Sequence, residues 1–278
     1  MQQMKDSSTS IDLDAYCERI GYAGPRRPTL QTLRAIHAAH PAVIAFENLD
    51  PLLGRPVALD MDSVQRKLVQ ARRGGYCFET NGLFAAVLRA IGFELTGLAA
   101  RVLIGHAPGT SRRSHMLLKI DLEEDAYIAD VGLGSWALSA PLRLDDEGEQ
   151  QTPHGLFRIV RDGGFLEEQT KIEGAWKSLY RFTLEETYPQ DYEVANWYTS
   201  AHPESQFRKR LMAARLPMGR RLGMLDNRFS IHYSDGRVER RELQTAEEIM
   251  GILETEFAIA LPGPRAELLS ALARLVPH

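Results

Sequence analysis

The period of the hydrophobic pattern changes near Gly92, and this change restricts the chain to folds that join a helical part to a sheet part. Through residues 11–91 apolar side chains recur at helical spacing. Leu13, Tyr16, Cys17 and Ile20 line one face and stop at Gly21, and Thr29 is placed to cap a helix running to His40, just ahead of Pro41. Residues 63–71 repeat the same period, and Phe78, Leu83, Phe84, Val87, Leu88 and Ile91 form a stripe ending at Gly92. From residue 94 to about 183 the texture becomes short strands, in LTGLAARVLIG, HMLLKIDL, AYIADVG, LFRIV and WKSLYRFTL, separated by Gly, Asp and Pro. That predicts an antiparallel sheet or small barrel. Beyond Tyr188 the two textures mix: RFSIHYSDGRVERREL reads as a hairpin turning at Asp235-Gly236, and TAEEIMGILETEF as a capped helix. The fold class is α+β.

Composition excludes several partners. With 278 residues, 44% of them hydrophobic, the chain can build two or three modules around substantial cores. Its net charge of -4 supplies no basic field to gather nucleic acid or an anionic membrane surface. The start, MQQMKDSSTS, lacks the apolar core of a signal peptide, and no apolar run approaches the ~20 residues that span a bilayer. A cytoplasmic protein is expected. The two cysteines, Cys17 and Cys77, form no disulfide framework and suit a reducing compartment.

Cys77 lies in RRGGYCFETNGLF, two residues after a glycine pair and at the start of the apolar stripe. Unpaired N–H groups and the positive end of the macrodipole favour a thiolate at that position. Gly74 and Gly75 would turn the backbone sharply and leave the sulfur uncovered, while Arg72 and Arg73 add positive charge. A buried structural thiol is the alternative, and this stretch alone leaves both open. Cys17 replaces an apolar residue on a core face. A thiol nucleophile needs a base and an acceptor to orient it. His115 begins the strand HMLLKID, and Asp130 ends AYIAD; adjacent antiparallel strands can bring the two together. His37 and His40 lie three apart on a helix with no ligand cluster to complete a metal site, so surface or packing roles are expected. The acidic strings DLEED and LDDEGE read as solvated turns, and no phosphate-binding glycine motif occurs.

The strings RRGGYCFETNGLF, SHMLLKI and YIADVGLGS, in that order and at these separations, resemble the three active-site blocks of the arylamine N-acetyltransferases. YCERIGY, TLRAIHAAHPAVIAFENLD and DYEVANWYTSAHPESQF are also similar to blocks of that family, so the resemblance covers nearly the whole chain. It implies a helical bundle carrying the nucleophile (1–92), an antiparallel β-barrel carrying the base and acid (93–195) and an α/β lid (196–278). By the same resemblance Cys77 accepts the acyl group, His115 is its ion-pair partner and Asp130 orients the imidazole. Donor contacts would fall just before the histidine, at Ser111, Arg112 and Arg113, and Phe46, Leu133 and Phe207 would line the acceptor pocket. Ala45 stands where the family usually has proline, and Leu133 where it often has phenylalanine. The loss of an aromatic wall at 133 bears on the acceptor rather than on the triad.

The implied activity is ping-pong transfer of an acetyl group from acetyl-CoA, a co-substrate rather than a bound cofactor, to arylamines, arylhydrazines or hydroxylamines. No metal is required, and a monomer or homodimer is expected. Two other enzymes could use such a site: a polyketide-releasing amide synthase of the same fold, and a transglutaminase-like thiol hydrolase, against which the blocks outside the triad argue. A binding module with a dead site is the remaining reading, and an intact triad opposes it.

Overall fold

Helix α1 (Leu13–Ile20) begins where Asp12 accepts the Ala15 N–H and ends at Gly21, whose φ of 70° lies in the left-handed region. The structure, a computed structural model, describes residues 11–276 except Pro108 and Glu124. The amino-terminal MQQMKDSSTS therefore lies outside the described residues, as do one position of the HAPGTSRRS loop and one of the DLEED string. Thr29 caps α2 (Leu30–Val43) by accepting the Thr32 N–H. This helix does not stop at His40 but runs three residues further, through Pro41. A proline so near the helix end forfeits a single bond, and its carbonyl instead accepts the Leu216 N–H at 2.9 Å, tying the helix to the carboxy-terminal sheet. Strand β1 (Phe46–Glu47) and the short helices α3 (Leu49–Leu52) and α4 (Met61–Gln65) follow. The helix expected over 63–71 passes from α4 into a π-helical turn, Arg66–Gln70, and ends at Arg72, whose φ is 54°. Helix α5 (Cys77–Ile91) closes the bundle at Gly92, φ 104°. Tyr16, Cys17, Leu33, Ile36, Phe84 and Leu88 are at its core.

Eight strands come next: β2 (Glu94–Val102), β3 (Arg113–Leu122), β4 (Asp125–Ala129), β5 (Leu142–Arg143), β6 (Gln150–Thr152), β7 (Gly155–Asp162), β8 (Phe165–Ile172) and β9 (Ala175–Phe182). They form one antiparallel sheet in the order β5-β4-β3-β2-β9-β8-β7-β6, curled until β5 approaches β7, which makes a nearly closed barrel. Leu98, Leu117, Ile128, Phe157, Leu179 and Phe182 fill it.

Helices α6 (Pro189–Ala201) and α7 (Gln206–Lys209) lead into β10 (Met212–Arg215), β11 (Arg220–Leu225), β12 (Arg228–Tyr233) and β13 (Val238–Glu242). β12 and β13 form the expected hairpin, turning through Asp235 and Gly236 at φ 88°. Thr245 caps α8 (Ala246–Thr255) by accepting the Glu248 N–H, and α9 (Arg265–Ala273) packs beside it. β1, drawn from the first hundred residues, is the edge strand of this sheet, in the order β1-β10-β11-β12-β13. No helix among the described residues is long and apolar enough to cross a membrane.

Candidate active site

The segment leading to Cys77 runs beside residues 45–47 like a short strand: the Gly75 N–H donates to Ala45 O at 3.2 Å, and the Glu47 N–H to Gly75 O at 3.0 Å. This closeness explains the glycine pair. A Cβ on Gly74 would land on the Ala45 carbonyl, and one on Gly75 would lie 2.8 Å from the Glu79 carboxylate. Neither glycine has a positive φ, so close approach, not a sharp turn, demands them. Nor is the sulfur uncovered, since Cys77 is only 4% exposed. At the helix start the Glu79 side chain accepts the Tyr76 N–H at 3.1 Å, while the N–H groups of Cys77 and Phe78 have no acceptor among the described residues.

Arg73 does not point its charge at the thiol. It donates to Glu47 at 2.8 Å and Asp50 at 2.9 Å, while Lys67 pairs with Asp50 and Glu79, each at 2.7 Å. Burial opposes charge on Asp50, yet Lys67 and Arg73 together hold its carboxyl below the usual range. The five side chains form a buried ionic knot beside the glycine loop that leads to Cys77, signalled in the sequence only by charges among apolar residues.

His115 and Asp130 meet diagonally. In the β3–β4 ladder Leu118 faces Ala129, so Asp130, one step beyond the strand, reaches back to His115, whose Nε2 donates to Asp130 Oδ2 at 2.6 Å. A register shift opposite Ala100 and Arg101 leaves Ser114 as an extra residue in β3; this bulge re-aims the chain beside His115, and Cys77 Sγ lies 3.8 Å from the Ser114 carbonyl. Burial pulls the imidazole down, but the Asp130 charge and hydrogen bond, with the Cys77 sulfur adding to them, push it up to about 10. Asp130 moves the opposite way: burial raises it, and His115, Asn81 and the Gly132 N–H bring it below its ordinary value.

Three side chains around this pair, Asn81, Tyr180 and Glu168, escape a reading of the sequence, while His37 and His40 take the packing roles expected of them. Asn81, one turn beyond Cys77, donates to Asp130 Oδ1 at 2.8 Å and to Met116 O at 2.7 Å, and accepts the Val131 N–H at 3.0 Å. It therefore ties α5 to both strands. His37 accepts the Asp130 N–H at 3.2 Å, and His40 pairs with the Tyr16 hydroxyl. Both histidines are fully buried packing residues, and burial first of all drives them down, to about 4 and about 3. Beneath His115 the Tyr180 ring packs at 5.2 Å and its hydroxyl donates to Glu168, a buried carboxyl raised to about 8 by burial and by the Asp130 charge. Only a long polar side chain next to strand-forming residues could have hinted at Glu168.

The residues expected to contact substrates are in two places. Phe46 and Phe207 meet edge to face at 6.2 Å, with Phe46 also under Gly134, whereas Leu133 packs against the barrel core. Before the histidine, Ser111 is buried and its carbonyl accepts from Arg101. Arg112 lies over the Tyr198 ring at 4.5 Å, and Arg113 contacts Glu185 at 3.3 Å.

A cysteine on a bundle helix, set against a histidine–aspartate pair on a barrel, defines the class: an α+β protein whose candidate site has the composition that thiol chemistry needs. Comparison with known proteins then gives the family. The N-acetyltransferase family model matches residues 29–266. The arylamine N-acetyltransferase of Escherichia coli is 41% identical over 251 residues, 90% of this chain and 89% of that one. A Salmonella typhimurium relative, an arylamine N-acetyltransferase / N-hydroxyarylamine O-acetyltransferase, is 37% identical across 96% of this chain and 97% of its own. The solved structure of the Mycobacterium marinum arylamine N-acetyltransferase superposes with a TM-score of 0.92 at 36% identity, covering 95% of this chain and 99% of that one, and the same protein has been solved in complex with CoA. The chain belongs to the arylamine N-acetyltransferase family and is an acyltransferase.

Proposed function

We propose that this protein transfers an acetyl group from acetyl-CoA to arylamines, arylhydrazines or N-hydroxyarylamines through an acetyl-Cys77 intermediate. The observation that carries the reading is the Cys77–His115–Asp130 arrangement within a chain of this family. The Cys77 thiolate attacks the thioester carbonyl, the carbon–sulfur bond of the donor breaks, and the leaving CoA thiolate takes the proton held by His115. The neutral imidazole then accepts a proton from the attacking amine, the tetrahedral adduct collapses to the amide, and Cys77 leaves as thiolate beside a re-protonated His115. Asp130 holds the ring throughout. The free N–H groups of Cys77 and Phe78 are placed to receive the oxyanion of both steps.

In this reading residues 1–92 supply the nucleophile, 93–195 the base and its orienting acid, and 196–278 the cover of the cleft. Ser111, Arg112 and Arg113 receive the anionic donor, with Arg112 the freer of the two guanidinium groups. Phe46 and Phe207 form the aromatic wall for the acceptor, and Leu133 lines the pocket from the side of the barrel core. The protein works in the cytoplasm as a monomer or homodimer, without nucleic acid or membrane.

Intact-protein mass spectrometry after mixing with acetyl-CoA, without amine, should show one added acetyl group, absent from Cys77→Ala. An acetyl group retained by that variant would remove Cys77 from the mechanism. Replacing both Arg112 and Arg113 with Ala should raise the apparent KM for acetyl-CoA and leave p-nitrophenyl acetate turnover little changed; equal losses with both donors would mean the loop only supports His115. A panel of acetyl, propionyl and malonyl thioesters against amines distinguishes this activity from amide synthesis on a carrier-borne chain.

A further inference from the structure

We propose that a second site, an oxyanion site for a phosphate group, lies in the cleft where the end of α1, the Arg72 turn and the chain following α8 converge. It is independent of the acetyl-transfer reading. The cleft encloses about 330 Å³, and three arginines, Arg19, Arg72 and Arg215, line it, with Glu254 as the one carboxylate among the lining residues.

None of the three arginines forms an ion pair among the described residues. Arg19, only 8% exposed, spends its Nε on Leu68 O at 3.1 Å. Arg215 donates from Nε to Ala42 O at 2.7 Å and from Nη1 to Glu256 O at 3.0 Å. Arg72 makes no side-chain hydrogen bond among the described residues. The guanidinium N–H groups left over have no protein acceptor among the described residues. By contrast Arg73, one residue beyond Arg72, is matched by two carboxylates. Here three like charges converge instead, and burial, followed by Arg72 and Arg215, draws Arg19 down to about 10. Glu256, the acid that acts on Arg215, also faces Arg220 at 3.5 Å.

A tetrahedral oxyanion relieves this repulsion, because guanidinium forks match its oxygens in pairs. The backbone supplies a second mark. Arg72 is held at φ 54°, the left-handed region that costs a non-glycine residue energy, by the Ala260 N–H donating to its carbonyl at 3.2 Å. Five residues further on stands Cys77, so an occupant would clamp the carboxy-terminal segment to the loop that enters the nucleophile helix. The cleft is roomy enough for a phosphate ester as well as for the free ion.

Thermal unfolding in inorganic phosphate, against sodium chloride at matched ionic strength, tests the site. Phosphate at about ten times its Kd should raise the Tm by about 3 °C. Arg72→Gln, an exposed position that tolerates the change, should lose that shift, and Glu254→Gln should reach it at several-fold lower phosphate. Glycerol 2-phosphate in place of phosphate tells whether the site takes an ester or the free ion. No difference between phosphate and chloride would overturn the proposal. So would a Glu254→Gln protein that is destabilised and unresponsive, because the carboxylate would then be the arginines' own partner. An Arg72→Gln protein with a raised KM for acetyl-CoA and an unaltered phosphate shift would also overturn it, since the cleft would then serve the donor.

Discussion

Single side chains around the pair of His115 and Asp130 set its chemistry, and two of them make separable predictions. Asn81 fixes Asp130 on one side and β3 on the other, so Asn81→Ala should release both while leaving the helix intact. The expected result is a fall of about 10² in the rate of acetyl-Cys77 formation, as for a misplacement near 1 Å, with KM for acetyl-CoA little changed. Stopped-flow measurement of CoA release gives both, and an unaltered rate sinks the positioning role. Glu168 is a different case. Its folded-state value lies above the unfolded one, so the folded protein binds the extra proton, and its contribution is fully present below about 4.5 and lost as pH rises through about 8. Glu168→Gln should therefore be the more stable protein at pH 8 by an amount on the order of a few kcal/mol, and no more stable than wild type at pH 5. Urea midpoints at the two pH values decide it; a difference independent of pH would show that Glu168 does not hold that proton.

At the scale of elements, the contact between α5 and the loop after β4 constrains the site closely. A Cβ on Gly132 would sit 2.7 Å from Cys77 Cα and from Asn81 Nδ2, so Gly132→Ala must push the helix start away from His115. Gly82, on the same helix, has open space around it. Gly82→Ala should add about 0.5–1 kcal/mol of stability with activity retained, while Gly132→Ala should stay folded and lose most turnover. If the two behave alike by circular dichroism and by assay, the contact does not matter. These elements were legible in the sequence wherever the period was strong. The stripe from Phe78 to Ile91, the caps at Thr29 and Thr245 and the turn at Gly236 all follow from local rules. What was hidden depended on distant partners. Pro41 stays helical because Leu216 takes its carbonyl, β8 reads as polar because the barrel buries Glu168 and Thr170, and β1 is too short to recognise without β10. The candidate site was legible as three residues, whereas the ionic knot and Asn81 have meaning only once the strands are paired.

For the whole molecule, charge burial sets the pH range of stability. His37 and His40 have folded-state values below the ordinary one, so the unfolded chain binds more protons and stability is lost as pH falls from about 6.5 toward about 4. His115 is raised, so its contribution is present below about 6.5 and disappears as pH climbs through about 10. Urea midpoints across pH 4 to 10 should fall at both ends, and a flat acid limb would count against the neutral buried histidines. Arg73→Ala, which leaves buried Glu47 without its cation and Asp50 with Lys67 alone, should cost about 3–5 kcal/mol, read as a lower Tm.

The pairing of β1 with β10 has a consequence for the order in which the protein can be made. The Asn48 side chain accepts from the Met212 N–H across 164 positions of sequence, and the strand beside it has no neighbour on that side until β10 exists. At about 5–20 residues per second a ribosome needs roughly 10 to 30 s to deliver that partner. Throughout this interval the nascent chain carries an open strand edge next to the glycine loop. A stop codon between Asp130 and β10 would leave that edge bare for good, with Cys77, His115 and Asp130 all already synthesised.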